Sequence, residues 1–412
     1  MSFENIGTTE QKKNTLSLFA MALALYFAII VFDVFVIGSV GTLLKLMGVV
    51  IIGVWVFYFS KISFRLDVTL ICEICFLLIC FASVVYSIDV EETKAALKAV
   101  ALNFGLIIVC TSFVFNKREV GFIEKALVVG SSVVALAAFV FSDISAHYGR
   151  LSIRIMGETA DPNYINGYLI FALSFFIYHL INTKKFKLLC LAAAGGIIIF
   201  TLLTGSRGAL LTQAAVIVAV WFFSVRNKDD KIKLMIGGAL MAVFLVVFFF
   251  YIVSVMPEEI AERFSLDFIR EGGTTGRFEL WDALLTRYIK DDAFTILFGT
   301  GIGTAPAYNT LKPDVAHNVF IDVLIGTGIF GLIFYVGIFV SLFIKALKSK
   351  NVIGLGALVG VTVLSLSLTT YFFKPMFNIF LYVELYHRYY CTQMTAIGGN
   401  EAMQSKGALK SN

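Results

Sequence analysis

The chain repeats one pattern nearly from end to end: apolar runs of about 20 residues broken by short polar segments, the length a helix needs to cross a bilayer. Runs such as MAVFLVVFFFYIVSV (241–255) are apolar on every face. That excludes the alternating pattern of a membrane β-barrel and leaves helices as the spanning element. Composition agrees, since 59% hydrophobic residues, 15% charged residues and a mean hydropathy of +0.88 fall outside the range of a water-soluble globular chain. The expected fold class is all-α: a polytopic transmembrane helical bundle.

About 12 spans fit: 16–33, 36–59, 67–86, 95–115, 121–141, 162–181, 188–204, 209–225, 234–255, 317–344, 352–372 and 376–391. The count falls to about 11 if Asp33 and the glycines at 38 and 41 only break a single first helix. Residues 1–255 then carry helices 1–9, 256–316 form a long, partly helical extracytoplasmic loop, 317–391 carry helices 10–12, and 392–412 are a polar cytoplasmic tail. Basic clusters at Lys61/Arg65, Lys117/Arg118, Lys184/Lys185/Lys187, Arg226/Lys228/Lys231/Lys233 and Lys345/Lys348/Lys350 recur at every second break, which marks those breaks as cytoplasmic. The polar segment 1–14 precedes no small-residue cleavage site, so an uncleaved first span with Met1 inside is expected. The six cysteines, Cys72, Cys75, Cys80, Cys110, Cys190 and Cys391, lie in or beside apolar runs. The Cys72/Cys75 spacing resembles a redox pair but lacks a βαβ context, so buried inert thiols are expected, with no disulfide framework and no metal cluster.

The outward segment between Val255 and Ala316 is far longer than an ordinary helix connection, and loops of that length commonly fold and work. Within it, GRFELWDALLTRYI places Phe278, Trp281, Leu284, Leu285 and Tyr288 on one helical face. Such a helix either lies on the bilayer or caps a cavity. GTGIG at 299–303 either cradles a phosphate through backbone N–H groups or is an ordinary flexible loop. Acidic residues outnumber basic ones across the segment, so anion binding must come from particular arginines.

His317 and Asn318 close that segment and open the apolar helix HNVFIDVLIGTGIFGL. A titratable group at a membrane surface is costly unless it lines a wet cavity. Imidazole, with an ordinary pKa near 6.5, suits proton transfer at neutral pH. The plainer reading of such a histidine is a hydrogen-bonded cap. Arg207, in the outward turn TGSRG, offers a guanidinium fork to phosphate oxygens, or else snorkels to lipid headgroups. Arg277 begins the amphipathic helix, where N-terminal backbone donors reinforce anion binding; otherwise it is a solvated first-turn residue. Arg150 and Arg154 flank another outward stretch, as assistants or as surface charges. Asp161-Pro162-Asn163 is a good helix start, while Asn163, Tyr164 and Asn166 lie where they can hydrogen-bond sugar hydroxyls. Asp322 orients a partner or pairs with Lys45, Glu73 and Glu384 are intramembrane acids without an evident partner, and Gly326, Gly328 and Gly331 suit close helix packing.

GETADPNYINGYL, LLTGSRGALL, TTGRFELW and AHNVFIDVLIGTGIFGL, in that order and spacing, resemble the O-antigen polymerase and ligase superfamily. The resemblance implies a metal-independent, cofactor-free glycosyltransferase of the bacterial inner membrane, working on undecaprenyl-diphosphate-linked oligosaccharide at the outward face. It implies that Arg207 and Arg277 hold the donor diphosphate and that His317 is the base for the acceptor hydroxyl. Arg150, Arg154, Asn163, Asn166 and Asn318 are the expected substrate contacts by their place near the outward face. The acceptor is a second glycan for a polymerase or lipid A–core for a ligase. The polymerase is favoured here on the DPN segment and the non-basic loop. Membrane lipids and a polysaccharide chain-length regulator are the expected partners, with no nucleic acid. A lipid-linked oligosaccharide flippase is the alternative from another class, although such carriers usually show internal repeats.

Overall fold

The computed structural model describes residues 15–30, 32–33, 38–58, 62–145, 150–155, 158–226, 231–255, 258–262, 276–309 and 314–408. The segment 1–14, the basic residues Lys61 and Lys228, and 263–275 and 310–313 of the outward loop lie outside them. Helices α1 (Leu18–Ile30), α2 (Gly38–Phe57), α3 (Val68–Tyr86), α4 (Val90–Thr111) and α5 (Lys117–Val140) come first. A small antiparallel sheet follows, with β1 (Ser142–Ser145), β2 (Arg150–Ile155) and β3 (Glu158–Ala160) in that spatial order. Then come α6 (Pro162–Asn182), α7 (Lys187–Leu203), α8 (Arg207–Val225) and α9 (Lys231–Val255). The outward segment contains α10 (Glu258–Ala261), α11 (Arg277–Tyr288), α12 (Ala293–Phe298) and α13 (Ala305–Tyr308), and α14 (Val319–Lys348), α15 (Val352–Ser365) and α16 (Lys374–Ala408) complete the chain. Among the described residues, six helices are long and apolar enough to cross a membrane: α3, α4, α6, α8, α14 and the described part of α5. Meanwhile α1, α7, α15 and part of α2 are shorter apolar helices. The protein is a helical membrane protein, and the sheet adds order to a stretch that the sequence pattern leaves as a loop.

The core forms where α3, α4, α14 and α16 meet. Phe76 packs on Phe104 and Tyr335, Phe104 on Phe377, and Phe339 on Phe380, with ring centroids 5.0–5.9 Å apart. Their outer faces are as apolar as the core: Val85 of α3 is 90% exposed and Leu102 of α4 62%, a surface suited to lipid and not to water.

Helix ends are closed by local chemistry. Asp67, Asp89, Asn116, Asp161, Ser206 and Asn318 each cap a helix N-terminus through a side-chain oxygen, satisfying donors that have no partner within the helix. At the end of the bundle away from the outward segment, Lys345 is buried and bonds Asp67 at 2.8 Å and Glu384 at 2.5 Å, tying α14 to α3 and α16. Sequence reading groups Lys345 with loop cations and leaves Glu384 without a partner. The structure corrects both, because α14 runs on to Lys348 and carries the ammonium inside the bundle. α16 likewise continues to Ala408, so the tail from 392 begins as helix.

α14 is interrupted at Gly328, whose φ of +68° and ψ of −172° break the hydrogen-bond ladder. The segment 299–303 fills the gap: Thr300 and Gly301 N–H donate to the Ile325 and Gly326 carbonyls, each at 2.9 Å. Glycine is required by contact as well as by φ, because a Cβ on Gly328 would lie 2.3 Å from the Leu297 backbone and one on Gly299 2.4 Å from that of Gly326. GTGIG is therefore a clamp on α14, neither a flexible loop nor a phosphate cradle. Its Thr300 and Gly301 N–H groups are already spent on carbonyls that the break would leave unsatisfied.

Candidate active site

The turn between α15 and α16 organises this end of the bundle. Its sequence, SLSLTTYFF (365–373), looks like a continuing apolar run. Yet its hydroxyls bond locally: Ser367 Oγ donates to the Leu364 carbonyl at 3.1 Å, and Ser365 and Thr370 share a bond at 2.8 Å. Hydroxyls that bond nearby groups offer the chain an alternative to helix. α15 therefore stops at Ser365 instead of running to 372.

Four elements attach to this turn. Arg277, the first residue of α11, donates from Nη1 to the Ser367 carbonyl at 3.0 Å. Gly208, next to Arg207, lies so close to the same residue that a Cβ there would stand 2.7 Å from Ser367 Oγ. Tyr164 of α6 donates its hydroxyl to the Thr369 carbonyl at 3.2 Å. The Thr369 hydroxyl donates to Asp322 Oδ2, and Asp322 Oδ1 accepts the Ala316 N–H at 2.9 Å, immediately before His317. Asp322 is 2% exposed and braces this turn, whereas Lys45 is exposed on α2. The Trp281 indole donates to the Ala316 carbonyl at 2.7 Å, so α11 is docked on the start of α14 from the other side. Leu284 and Tyr288 of that helix are buried against Tyr308, Ala316 and Ile325, while Phe278 remains 62% exposed.

His317 has a φ of +51°, a left-handed conformation sparsely used by residues other than glycine. Its Nε2 stands 3.7 Å from Asp314 Oδ1, with both side chains 33% exposed. Strained backbone of this kind persists where the surroundings over-determine it and clusters at functional sites. Here Asp322 and Trp281 fix the preceding residue, and Asn318 fixes the following one by accepting the Phe320 and Ile321 N–H groups at 3.0 and 3.4 Å.

Arg207 opens α8 directly after Gly205 (φ +60°) and the cap Ser206, and α8 has no acidic residue in its first turn. A cation at a helix N-terminus opposes the dipole, so both act together on an anion. Asn163 accepts from the Ser206 hydroxyl at 2.5 Å and so braces the Arg207 turn. Asn166 is buried, donating to the Pro162 carbonyl and Thr204 and accepting from Thr201 and Gln213, deeper between α6, α7 and α8. Arg150 and Arg154 lie on β2, in register with Ser145 and Thr159; their side chains fall outside the described part of the structure. Tyr371 is buried in the same turn, and burial first, then the nearby carboxyl of Asp322, pushes its phenol up and keeps it a hydrogen-bond donor. Among the described residues no group of three or more His, Cys, Asp or Glu could hold a metal ion.

The turns bearing Arg207, Arg277 and His317, far apart in sequence, thus meet around residues 366–371. Ser367, Thr369 and Asp314 belong to the site and were not legible as such. The one available signal is a Ser/Thr cluster between two apolar runs, which marks a break.

Residues 188–336 match the sequence profile of the family described as O-antigen ligase. The matched stretch contains Arg207, Arg277 and His317 and ends before the turn that joins them. It supports the O-antigen polymerase and ligase superfamily as the kindred of this chain. No curated protein matches it.

Proposed function

We propose that the protein is a membrane glycosyltransferase that moves a glycan from a polyprenyl diphosphate, in the first instance an O-antigen or related surface-polysaccharide polymerase acting on undecaprenyl-diphosphate-linked repeat units. The observation that carries this reading is the attachment of the Arg277 guanidinium and the Arg207 turn to one residue, Ser367, in the same turn whose Thr369 braces the residue before His317 through Asp322. Arg207 and Arg277 bind the donor diphosphate and stabilise the charge that develops as the glycosidic C–O bond breaks. His317 takes the proton of the attacking hydroxyl, and Asp314 steadies the imidazolium that results. Undecaprenyl diphosphate leaves as an anion, so the reaction demands neither a general acid nor a metal. In this reading the apolar helices cross the bacterial inner membrane about twelve times, and the Ser367 end faces outward, opposite the breaks rich in Lys and Arg.

The polymerase is favoured because the outward segment is acidic on balance, a poor match for a phosphorylated core acceptor. A ligase is the second reading, favoured by the description of the matching family. Glycan laddering in a strain lacking the gene separates them. Single repeats on lipid A–core identify a polymerase, and lipid-linked polymer beside bare core identifies a ligase. A full ladder from a His317→Ala strain at matched expression removes the catalytic assignment and favours a flippase.

A further inference from the structure

At the opposite end of the bundle, α3 carries a second carboxyl beyond the Asp67 cap: Glu73, which is 2% exposed. Its Oε1 is buried without a hydrogen-bond partner. The side chain lines a cavity of about 20 Å³ between α3, α4 and α16, together with Arg65, Asp67, Thr111, Ser112, Glu384 and Arg388. That volume admits one water molecule. The donors around it are directed elsewhere. Lys345 bonds Asp67 at 2.8 Å and Glu384 at 2.5 Å, and Arg388 Nη2 donates to the Ser63 carbonyl at 2.7 Å. The Thr111 and Ser112 hydroxyls donate to the Ile107 and Val109 carbonyls at 2.8 and 2.7 Å. α4 adds no titratable group to this wall, Arg65 is exposed, and His387 of α16 lies against Cys391 at 3.4 Å. The charges that act on Glu73 are those of Glu384, Lys345 and Asp67. Glu73, Glu384 and Lys345 are the buried ones, so two carboxyls share one ammonium. An ionised Glu73 is then a buried charge without a donor, which is costly, and a proton removes that charge.

We propose that Glu73 is a proton-binding site: its carboxylate takes one proton from water in this cavity, becomes a neutral acid, and returns the proton by the same path toward Asp67. Ionisable side chains inside membrane helices commonly mark proton or ion paths. A metal cation fits this donor set less well, because Lys345 already occupies Asp67 Oδ2 and Glu384 Oε1. Among the described residues no group of three or more His, Cys, Asp or Glu could hold such an ion. A proton needs only the one unpartnered oxygen, and the acid it forms donates to the water that the cavity admits.

Infrared difference spectroscopy of the full chain in liposomes tests this, with the C=O stretch of a protonated carboxyl as the readout. Near neutral pH an ordinary glutamate, with a pKa of about 4.3, is ionised and gives no such band. Wild type is expected to show the band there, Glu73→Gln to lack it, and transfer to D2O to shift it, because the proton exchanges through the cavity. Glu73→Gln, the neutral isostere of the protonated acid, should melt as wild type does. Four results would each overturn the proposal. The band is missing, as pairing with a cation of segments 1–14 or 59–61, outside the described residues, would leave it. It is present but unmoved by D2O, so that the proton is sealed in. Sodium chloride at constant pH removes it, which makes the site one for sodium. Or Glu73→Gln loses its fold, which makes the ionised form structural. None of these outcomes bears on glycan transfer.

Discussion

His317 combines a strained backbone with a side chain that the proposed chemistry needs, and the two can be separated. Glycine tolerates a φ of +51° that alanine does not, so His317→Gly should unfold at a higher temperature than His317→Ala, by the equivalent of about 1 kcal/mol. Both should lose transfer activity by about 100-fold or more. Equal melting temperatures would show that the left-handed conformation costs nothing here. Asp322 acts through its neighbours and touches no substrate in this account, which makes it a positioning residue. Asn at 322 keeps one acceptor for the Ala316 N–H but weakens the bond from Thr369. Asp322→Asn should therefore lower kcat by about tenfold, the size of one hydrogen bond to a charged group, and leave the donor KM unchanged. A rise in donor KM with kcat intact would place Asp322 in binding instead.

At the scale of the element, the break in α14 and the segment that fills it form one unit. Gly328→Ala and Gly299→Ala each drive a methyl to within 2.4 Å of backbone that cannot move aside, at positive φ. Gly276 has a similar φ of +71° but open space around it. The first two substitutions should cost more than about 3 kcal/mol and abolish folded yield, whereas Gly276→Ala should cost about 1 kcal/mol. Comparable yields for all three, by size-exclusion chromatography, would deny the clamp. The apolar helices were legible because lipid demands long uninterrupted runs, and so was the cap of α6, because Asp161-Pro162 is a local signal; at α14 the cap is Asn318, where the sequence offered His317 for that role and Asn318 as a substrate contact. The clamp was not legible, since GTGIG meets its partner some 25 residues away in the chain, and no local pattern records that Thr300 bonds to Ile325. The turn at 366–371 was hidden for a related reason: lipid-facing and site-forming stretches can share one apolar composition, and only the bonds of Ser367 and Thr369 tell them apart.

Across the whole molecule, the Lys345 knot and the Ser367 turn hold opposite ends of the same helices. Asp67 is the half-exposed member of the knot. Burial pushes its carboxyl up, but the hydrogen bond and charge of Lys345, with the Leu70 and Thr69 N–H groups, outweigh that and hold it below its ordinary value. A depressed carboxylate stabilises the fold above the unfolded pKa, about 3.9, and that contribution is lost as pH falls through the lower folded value. Asp67→Asn should thus melt below wild type at pH 7, and the gap should close below about pH 4. A gap that persists unchanged in acid would mean that the carboxylate charge is not what ties α3 to α14.

The central claim is that Arg207, Arg277 and His317 serve one reaction at one place. Its most direct measurement is the release of undecaprenyl diphosphate from an undecaprenyl-diphosphate-linked oligosaccharide by the purified protein in liposomes containing EDTA, with wild type compared against His317→Ala, Arg277→Ala and the double variant. The account predicts release by wild type and about a 100-fold or greater loss in each single variant. The double variant should be no worse than the poorer single, because groups that act as a unit are not additive. Release by His317→Ala at the wild-type rate, or losses that simply multiply in the double variant, would contradict it.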